Sequence, residues 1–465
     1  MTRGLRRLGE AVVHAFAEFL TLPVLIIVGF LLLAGGTSYL DQSRLAAIEP
    51  LHAWLRNRFF QNAEATSGLL ATVAGSIITV TSITFSLLLL TVQQAAAALT
   101  HQVYDQFLRR RANQIYFGFF VGLALYTLVI LATVNPPFNP VFGASVALLL
   151  TVLALTLMIV LLYTTINQMR PAVVIDSIHD HVLLARKRQK GWLERVRVAP
   201  RLEGHGTPVR SRVDGYLVGL HLDRLAAAVR QARDDTEVVL LVPVGAYIAF
   251  GDTVAEVRTA DSATGAALAP EVLKGLRIDP QRDLATDPAY GIEQLAVIAW
   301  TSVSTAKSDP SPGLLVIRSL RDLLARWSPE GSEHSVPTGP QEPVPVAYVD
   351  DVPRRLMDAL ETLSVVASES MQPQTEAELV RALALLFERV SPQLQRRAED
   401  LIRRSLSALG DHVLTAELDS ALAALSATLD RAGRQETARE VRVARDRLAA
   451  SIGRLGSRAT RAQGK

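Results

Sequence analysis

The chain has 465 residues, a formal net charge of +3 and no cysteine. That length admits two or three domains. The near-balanced charge gives no global basic signal for nucleic acid, and the lack of cysteine excludes disulfides, thiolate metal sites and cysteine nucleophiles. Apolar residues make up 49% of the chain and charged residues 20%. The two are segregated: long apolar runs fill the first 165 residues and most of the charge follows. That split predicts a membrane domain (1–165) ahead of a soluble region.

The N-terminus carries Arg3, Arg6 and Arg7 ahead of an apolar run from Phe19 to Gly35. A cleaved signal peptide has a shorter apolar core with small residues close behind, so an uncleaved first span is expected. Four spans are legible, at about 19–39, 69–92, 116–134 and 141–163. Asn135 to Pro140 (NPPFNP) joins the last two as a tight turn, which forces a helical hairpin. Basic residues sit in the N-terminal tail, at Arg109, Arg110 and Arg111, and after the fourth span. Retention of positive charge then places both termini in the cytoplasm of a bacterial inner membrane. The Arg triplet has a second reading, as a site for anionic headgroups or a partner. The loop from Asp41 to Ala65 holds Trp54, Phe59 and Phe60. It is expected to form a short helix at the outer interface, with an outer binding vestibule as the alternative.

The second span belongs to an uncharged stretch, 66–98, that is rich in Ser and Thr. At 100° per residue Thr72, Ser76, Thr79, Ser86 and Gln93 share one face, within an arc of roughly 100°. Ile83 and Leu90 interrupt the same face. The helix is expected to run on into the cytoplasm as far as Leu99. Such a face needs a neighbour other than lipid. It can line a pore of hydroxyl rungs and apolar constrictions. It can equally pack against other helices or bond to its own backbone.

After span four a helical linker is expected over 166–200, kinked at Pro171. His179, Asp180 and His181 lie within it. The two imidazoles would point about 200° apart on a helix, so a metal site is not expected. Residues 201–262 read as a small β module with one short helix, resembling barrel-sandwich modules. No Lys occurs between 191 and 273, so a swinging cofactor arm is excluded. A helical segment follows over 263–327, interrupted by SVSTAKSDPSPG. There Ser304 and Lys307 suggest a Ser–Lys nucleophile only weakly, since nothing implies an oxyanion hole. Residues 328–350 read as a mobile linker, 351–455 as an antiparallel helical bundle, and 456–465 as a disordered tail.

Three stretches carry a resemblance: AGSIITVTSITFSLLLLTVQ in the second span, DPAYGIEQLAVIAWTSVS, and STAKSDP. Together with the β module they resemble a widespread bacterial family of four-span predicted membrane proteins classed as a domain of unknown function. The likeness covers roughly 15–330 and implies a topology and domain order but no activity. The motif positions it marks are Asp287, Pro288, Gly291, Gln294, Ser304, Asp309 and Pro310. Glu293, Thr305 and Ser308 stand where the family has Arg, Pro and Asn.

The expected class is therefore an α+β membrane protein: four transmembrane helices, a small barrel-sandwich-like β module and a C-terminal helical bundle. No catalytic, cofactor or metal residues are assigned and no enzyme activity is expected. The bilayer, a second copy of the chain and a cytoplasmic protein are the expected partners. The leading role is an oligomeric membrane scaffold. A pore lined by Thr72, Ser76, Thr79, Ile83, Ser86, Leu90 and Gln93 is the alternative, and a membrane enzyme the least supported.

Overall fold

The computed structural model describes residues 20–43, 49–98, 111–203, 206–232, 235–304, 309–327, 343–389, 392–410 and 412–450. The chain divides into two compact units, Met1–Val173 and Val174–Lys465.

The first unit is helical. It comprises α1 (Thr21–Gln42), the short α2 (Glu49–Arg58), α3 (Ala63–Ala98), α4 (Arg111–Thr133) and α5 (Val141–Gln168). Helices α1, α3, α4 and α5 are long and apolar enough to cross a membrane. Their outward positions carry large apolar side chains such as Leu25, Leu32, Leu149, Ile159 and Ile166, which water would not tolerate in such a contiguous array. Inside, Phe30, Ala34, Leu70, Ile77, Leu123, Tyr126, Ile130 and Leu161 form the core. Helix α3 has 36 residues and rises about 54 Å, beyond the ~30 Å hydrocarbon core, so its ends leave the hydrocarbon.

Among the described helices of this unit, α1 and α4 make the most extensive contact. Its cause is two small residues one turn apart on α4. A methyl added at Gly118 would stand 2.9 Å from the Pro23 backbone, and one at Gly122 would stand 2.5 Å from the Phe30 ring. Glycine spaced i, i+4 lets helix backbones approach and gain dispersion contacts where no hydrophobic effect acts.

The expected kink at Pro171 is instead a break. Helix α5 ends at Gln168, and α6 (Pro171–Leu193) begins with the proline as its first residue. Proline lacks the N–H that would continue the ladder but suits the first turn of a new helix.

The second unit joins a β module to a helical body. The module contains β1 (Thr207–Arg210), β2 (Gly215–Leu220), α7 (Leu222–Gln231), β3 (Glu237–Leu240), β4 (Tyr247–Ile248), β5 (Thr253–Arg258), α8 (Ser262–Gly275), β6 (Leu276–Asp279) and β7 (Val346–Ala347). One sheet has the order β1-β5-β3-β7 and the other β4-β2-β6. Pairing is antiparallel except between β3 and β7. The two sheets share one core built on Val209, Leu217, Leu225, Val238, Ile248, Val257 and Val346. They remain two open sheets rather than a closed barrel. The strands are two to six residues long, and α8 covers β1 so closely that a methyl at Gly265 would meet Thr207 Oγ1 at 2.4 Å.

The stretch 328–350 does not behave throughout as the expected mobile linker. Residues 328–342 lie outside the described residues, but 343–350 thread the module. Val344, Val346 and Tyr348 are buried at alternate positions. The strand bonds to β3 on one side and to Arg195 and Arg197 on the other. Pro345 is tolerated because its carbonyl still accepts from Val238 N–H, at 3.0 Å.

The helical body runs from α9 (Pro288–Val303) and α10 (Ser311–Arg326) into α11 (Val352–Glu369), α12 (Pro373–Arg389), α13 (Pro392–Leu409), α14 (Ala416–Arg431) and α15 (Gln435–Ala450). Helix α9 packs on α10 and α11, and α10 on α12. The expected helical segment 263–327 thus divides: α8 and β6 belong to the β module, while α9 and α10 pack with the C-terminal helices. The expected tail, 456–465, lies outside the described residues.

Candidate functional site

The seven second-span residues fall on one side of α3 and all are exposed: Thr72, Ser76, Thr79, Ile83, Ser86, Leu90 and Gln93. The face that α3 turns to its own bundle is a different one, made of Leu70, Ala74, Ile77, Thr84 and Leu88. Thr84 there donates to Met158 Sδ at 3.7 Å. The hydroxyl stripe therefore points away from the other three spans of the chain.

Three hydroxyls on the stripe have an internal acceptor. Thr72 bonds to the Gly68 carbonyl at 2.8 Å, Thr79 to Gly75 at 2.8 Å and Ser86 to Ser82 at 2.9 Å. Such i−4 bonds satisfy the donor and leave the oxygen able to accept. Gly68 and Gly75 lie on the exposed side too, and a methyl added at either meets nothing within 4 Å. From Gly68 to Thr79 the face is thus made of small, uncharged residues, and three of its hydroxyls are already bonded to the helix's own backbone.

A second polar cluster sits at the mouth of the helical unit where α1 ends. Asp41, in the last turn of α1, has a fully buried side chain. Its two oxygens accept from the backbone N–H groups of Phe142 and Gly143, both at 2.8 Å. These are orphan donors at the start of α5, and a carboxylate there also meets the positive end of the helix dipole. His52 Nε2 on α2 lies 3.4 Å from Asp41, and Arg56 Nη2 lies 3.1 Å from His52 Nδ1. Below them Tyr126 donates to the Gly143 carbonyl at 3.0 Å and pairs with Thr37 at 3.1 Å. The signal for this cluster is the Asp at a span end followed by His-x-x-x-Arg, which places the two side chains on one helical face.

The family-like motif in the second unit proves to be a helix start locked into an ion-pair network. Asp287 is buried and caps α9 by accepting from Tyr290 N–H at 3.1 Å, with Pro288 as the first helical residue. Arg282 donates to Asp287 at 2.7 Å and to Glu293 at 2.5 Å. It also lies 4.7 Å from the Tyr290 ring centroid and 5.8 Å from that of Tyr216. Burial opposes the Arg282 charge, but Asp287 and Glu293 outweigh it and hold the guanidinium above its ordinary value. Arg355 reaches the other Glu293 oxygen at 3.2 Å. Glu293 therefore has two cations around it, which accommodates an acid where the family has Arg.

Gly245 lies against this network with φ +91°, and a methyl there would stand 2.7 Å from Asp287 Oδ2. Gly291 faces α6, where a methyl would meet Val182 Cγ2 at 2.1 Å. Gln294 is half-buried on α9. These motif positions carry helix placement. Arg282, not assigned from sequence, is the group at their centre.

Ser304 Oγ bonds back to the Thr301 carbonyl at 3.2 Å. Asp309 accepts from Ser311 N–H at 3.0 Å, beside Pro310 at the start of α10. Thr305, Lys307 and Ser308 lie outside the described residues, as do Arg109 and Arg110, while Arg111 opens α4 and is exposed. His179 bonds to Ser319 at 2.8 Å and His181 to the carbonyl of Ser177 at 2.6 Å. The two imidazoles diverge, and among the described residues no group of three metal-ligating side chains converges.

No solved structure matches this chain. Uncharacterized proteins of Mycobacterium bovis and Mycobacterium tuberculosis are 25% identical to it over 272 residues, covering 54% of this chain and 50% of theirs. The chain thus spans about half the length of the curated relatives it matches. A family model described as predicted membrane protein (DUF2254) matches residues 17–373. With four membrane-crossing helices in the matched region, the chain belongs to that family of predicted membrane proteins.

Proposed function

We propose that the protein is one subunit of a homo-oligomer in the bacterial inner membrane, joined through the Gly/Ser/Thr face of α3. The observation that supports this reading is the direction of that face. Its residues from Gly68 to Thr79 are small, three of its hydroxyls are bonded to the helix's own backbone, and it points away from the chain's own spans. In lipid such faces are where helices meet, because backbones can approach and pack. The basic residues Arg111 and Arg170 near the spans favour cytoplasmic termini. The soluble unit then lies in the cytoplasm and serves as a scaffold for a protein partner, without catalysis.

The absence of native cysteine makes the test direct. Ser76→Cys, on the face, should form an inter-subunit disulfide on oxidation of native membranes. Ile78→Cys, at nearly the same depth but off the face, should not. Equal cross-linking at both positions, or none at Ser76→Cys, overturns the seam.

A second reading rests on the alternation along the face. Thr72, Ser76, Thr79 and Ser86 supply hydroxyl rungs, and Ile83 and Leu90 supply apolar constrictions. In a ring of copies they would line a gated pore. Ion flux in liposomes tests it: flux that Ser76→Leu and Ser86→Leu abolish supports the pore, and no flux leaves the sealed seam.

A further inference from the structure

The mouth of the helical unit holds a buried carboxylate, an imidazole and a guanidinium in series, and neither the fold of the spans nor the α3 face requires all three. Asp41 would be satisfied by the two N–H groups of Phe142 and Gly143 alone. His52 is 23% exposed at its side chain while its partner Asp41 is fully buried. The imidazole thus stands between bulk solvent and a sealed charge. We propose that His52 is a proton-operated latch that fixes α2 onto the mouth of the bundle, tightening on acidification and loosening on alkalinisation.

The hydrogen-bond roles set the direction. Arg56 can only donate, so His52 Nδ1, 3.1 Å away, must carry a lone pair. The ring is then neutral, with its proton on Nε2 facing Asp41 at 3.4 Å, a long contact. A second proton would occupy Nδ1. The Arg56 contact would be lost, since two cations would face each other. The Nε2–H···Asp41 contact would become a full ion pair.

Among the described residues the groups facing this pair are few. Asp41 meets His52 from α2 and the backbone of Phe142 and Gly143 from α5. Tyr126 of α4 and Thr37 of α1 stand beneath, engaged with Gly143 and with each other. His52 meets Asp41 and Arg56. Among the described residues no other carboxylate or cation is in direct contact with either.

The latch has something to move. Leu55, one turn beyond His52, packs partly buried against the bundle core. Phe60, also buried, receives a hydrogen bond at its carbonyl from Asn139 at 3.1 Å. The chain then enters α3, whose first turn is capped by Asn62 through Ala65 N–H at 2.7 Å. Loosening α2 therefore frees the segment that leads into the second span. This inference stands whether or not α3 forms an oligomer seam.

The experiment uses the full-length protein in nanodiscs, with single cysteines at Leu55 (half-buried) and Asn57 (exposed). The ratio of their labelling rates with a water-soluble maleimide cancels the intrinsic pH dependence of the thiol. The ratio of Leu55→Cys to Asn57→Cys should fall roughly two- to five-fold from pH 8 to pH 5, the range of a partly exposed ion pair. Adding His52→Gln should flatten the ratio across that range. Asp41→Asn should do the same, and His52→Gln keeps the test valid if Asp41→Asn fails to insert. A ratio independent of pH in the parent, or one that still changes with His52→Gln present, overturns the latch.

Discussion

Two helix faces in the membrane unit share one chemistry and differ in occupancy. On α4, Gly118 and Gly122 are pressed against Pro23 and Phe30 of α1. On α3, Gly68, Thr72, Gly75, Ser76 and Thr79 show the same spacing of small residues and stand open. The first face explains how two helices of this chain hold together in lipid. The second has the same means of association and, among the described residues, no neighbour from its own chain. Small residues permit close approach, and only the rest of the chain decides whether the approach is made internally.

The strongest way to break the comparison is to put the same bulky residue on each face. Gly122→Leu would drive side-chain atoms into the Phe30 ring, where a single methyl already stands at 2.5 Å. The α1–α4 contact should open, with a loss of about 1–3 kcal/mol or more from overpacking. The readout is the yield and thermal stability of detergent-solubilised monomer. A methyl at Gly75 meets nothing within 4 Å among the described residues, so with Gly75→Leu monomer stability should stay within about 0.5 kcal/mol. The same variant should abolish inter-subunit cross-linking of Ser76→Cys. Equal destabilisation by both leucines would show the α3 face to be occupied internally.

Buried carboxylates sharpen the contrast between met and unmet groups. Asp41 has two N–H donors and His52 about it. Glu376, on α12 in the second unit, has one oxygen with no hydrogen-bond partner and His412 only at 3.9 Å. Burial pushes its carboxyl up from 4.5 to about 8. The folded state therefore binds this proton more tightly than the unfolded chain does. Its stabilising effect is fully present below about 4.5 and is lost as pH rises through about 8. Glu376→Gln should raise the melting temperature at pH 8, by the equivalent of about 1–3 kcal/mol, and change it little at pH 4.5. A mutant whose pH profile parallels the parent would remove Glu376 from the balance.

The parts of this molecule that repeat locally were legible in the chain. The four spans were readable because a continuous apolar run has one outcome in a membrane, and most helices of the helical body because their apolar period is regular. The angular position of the Thr72–Gln93 stripe followed from the helix repeat alone. Its direction did not, because a repeat says which residues share a face and not what faces them. FGFFVG carried the four-residue glycine spacing of the α1–α4 contact, hidden among large apolar residues. Strand β7 was masked by its prolines, although Val344, Val346 and Tyr348 alternate as a strand should. Asp41 read as a loop residue because its role depends on N–H groups a hundred positions away.

The smallest expected effect separates size from hydrogen bonding on the open face. Thr79→Val keeps the shape and removes the hydroxyl. That hydroxyl already donates to Gly75 at 2.8 Å, so the monomer should lose no more than about 0.5 kcal/mol. If copies meet mainly by close backbone approach, cross-linking of Ser76→Cys should persist with Thr79→Val present. If each Thr79 oxygen instead accepts a hydrogen bond across the seam, association should weaken by about 0.6 kcal/mol per subunit, the usual worth of such a bond between membrane helices. A dilution series in lipid, following the cross-linked fraction, resolves the two. In a pore, where the same oxygen would face water, Thr79→Val would leave association unchanged and lower conductance.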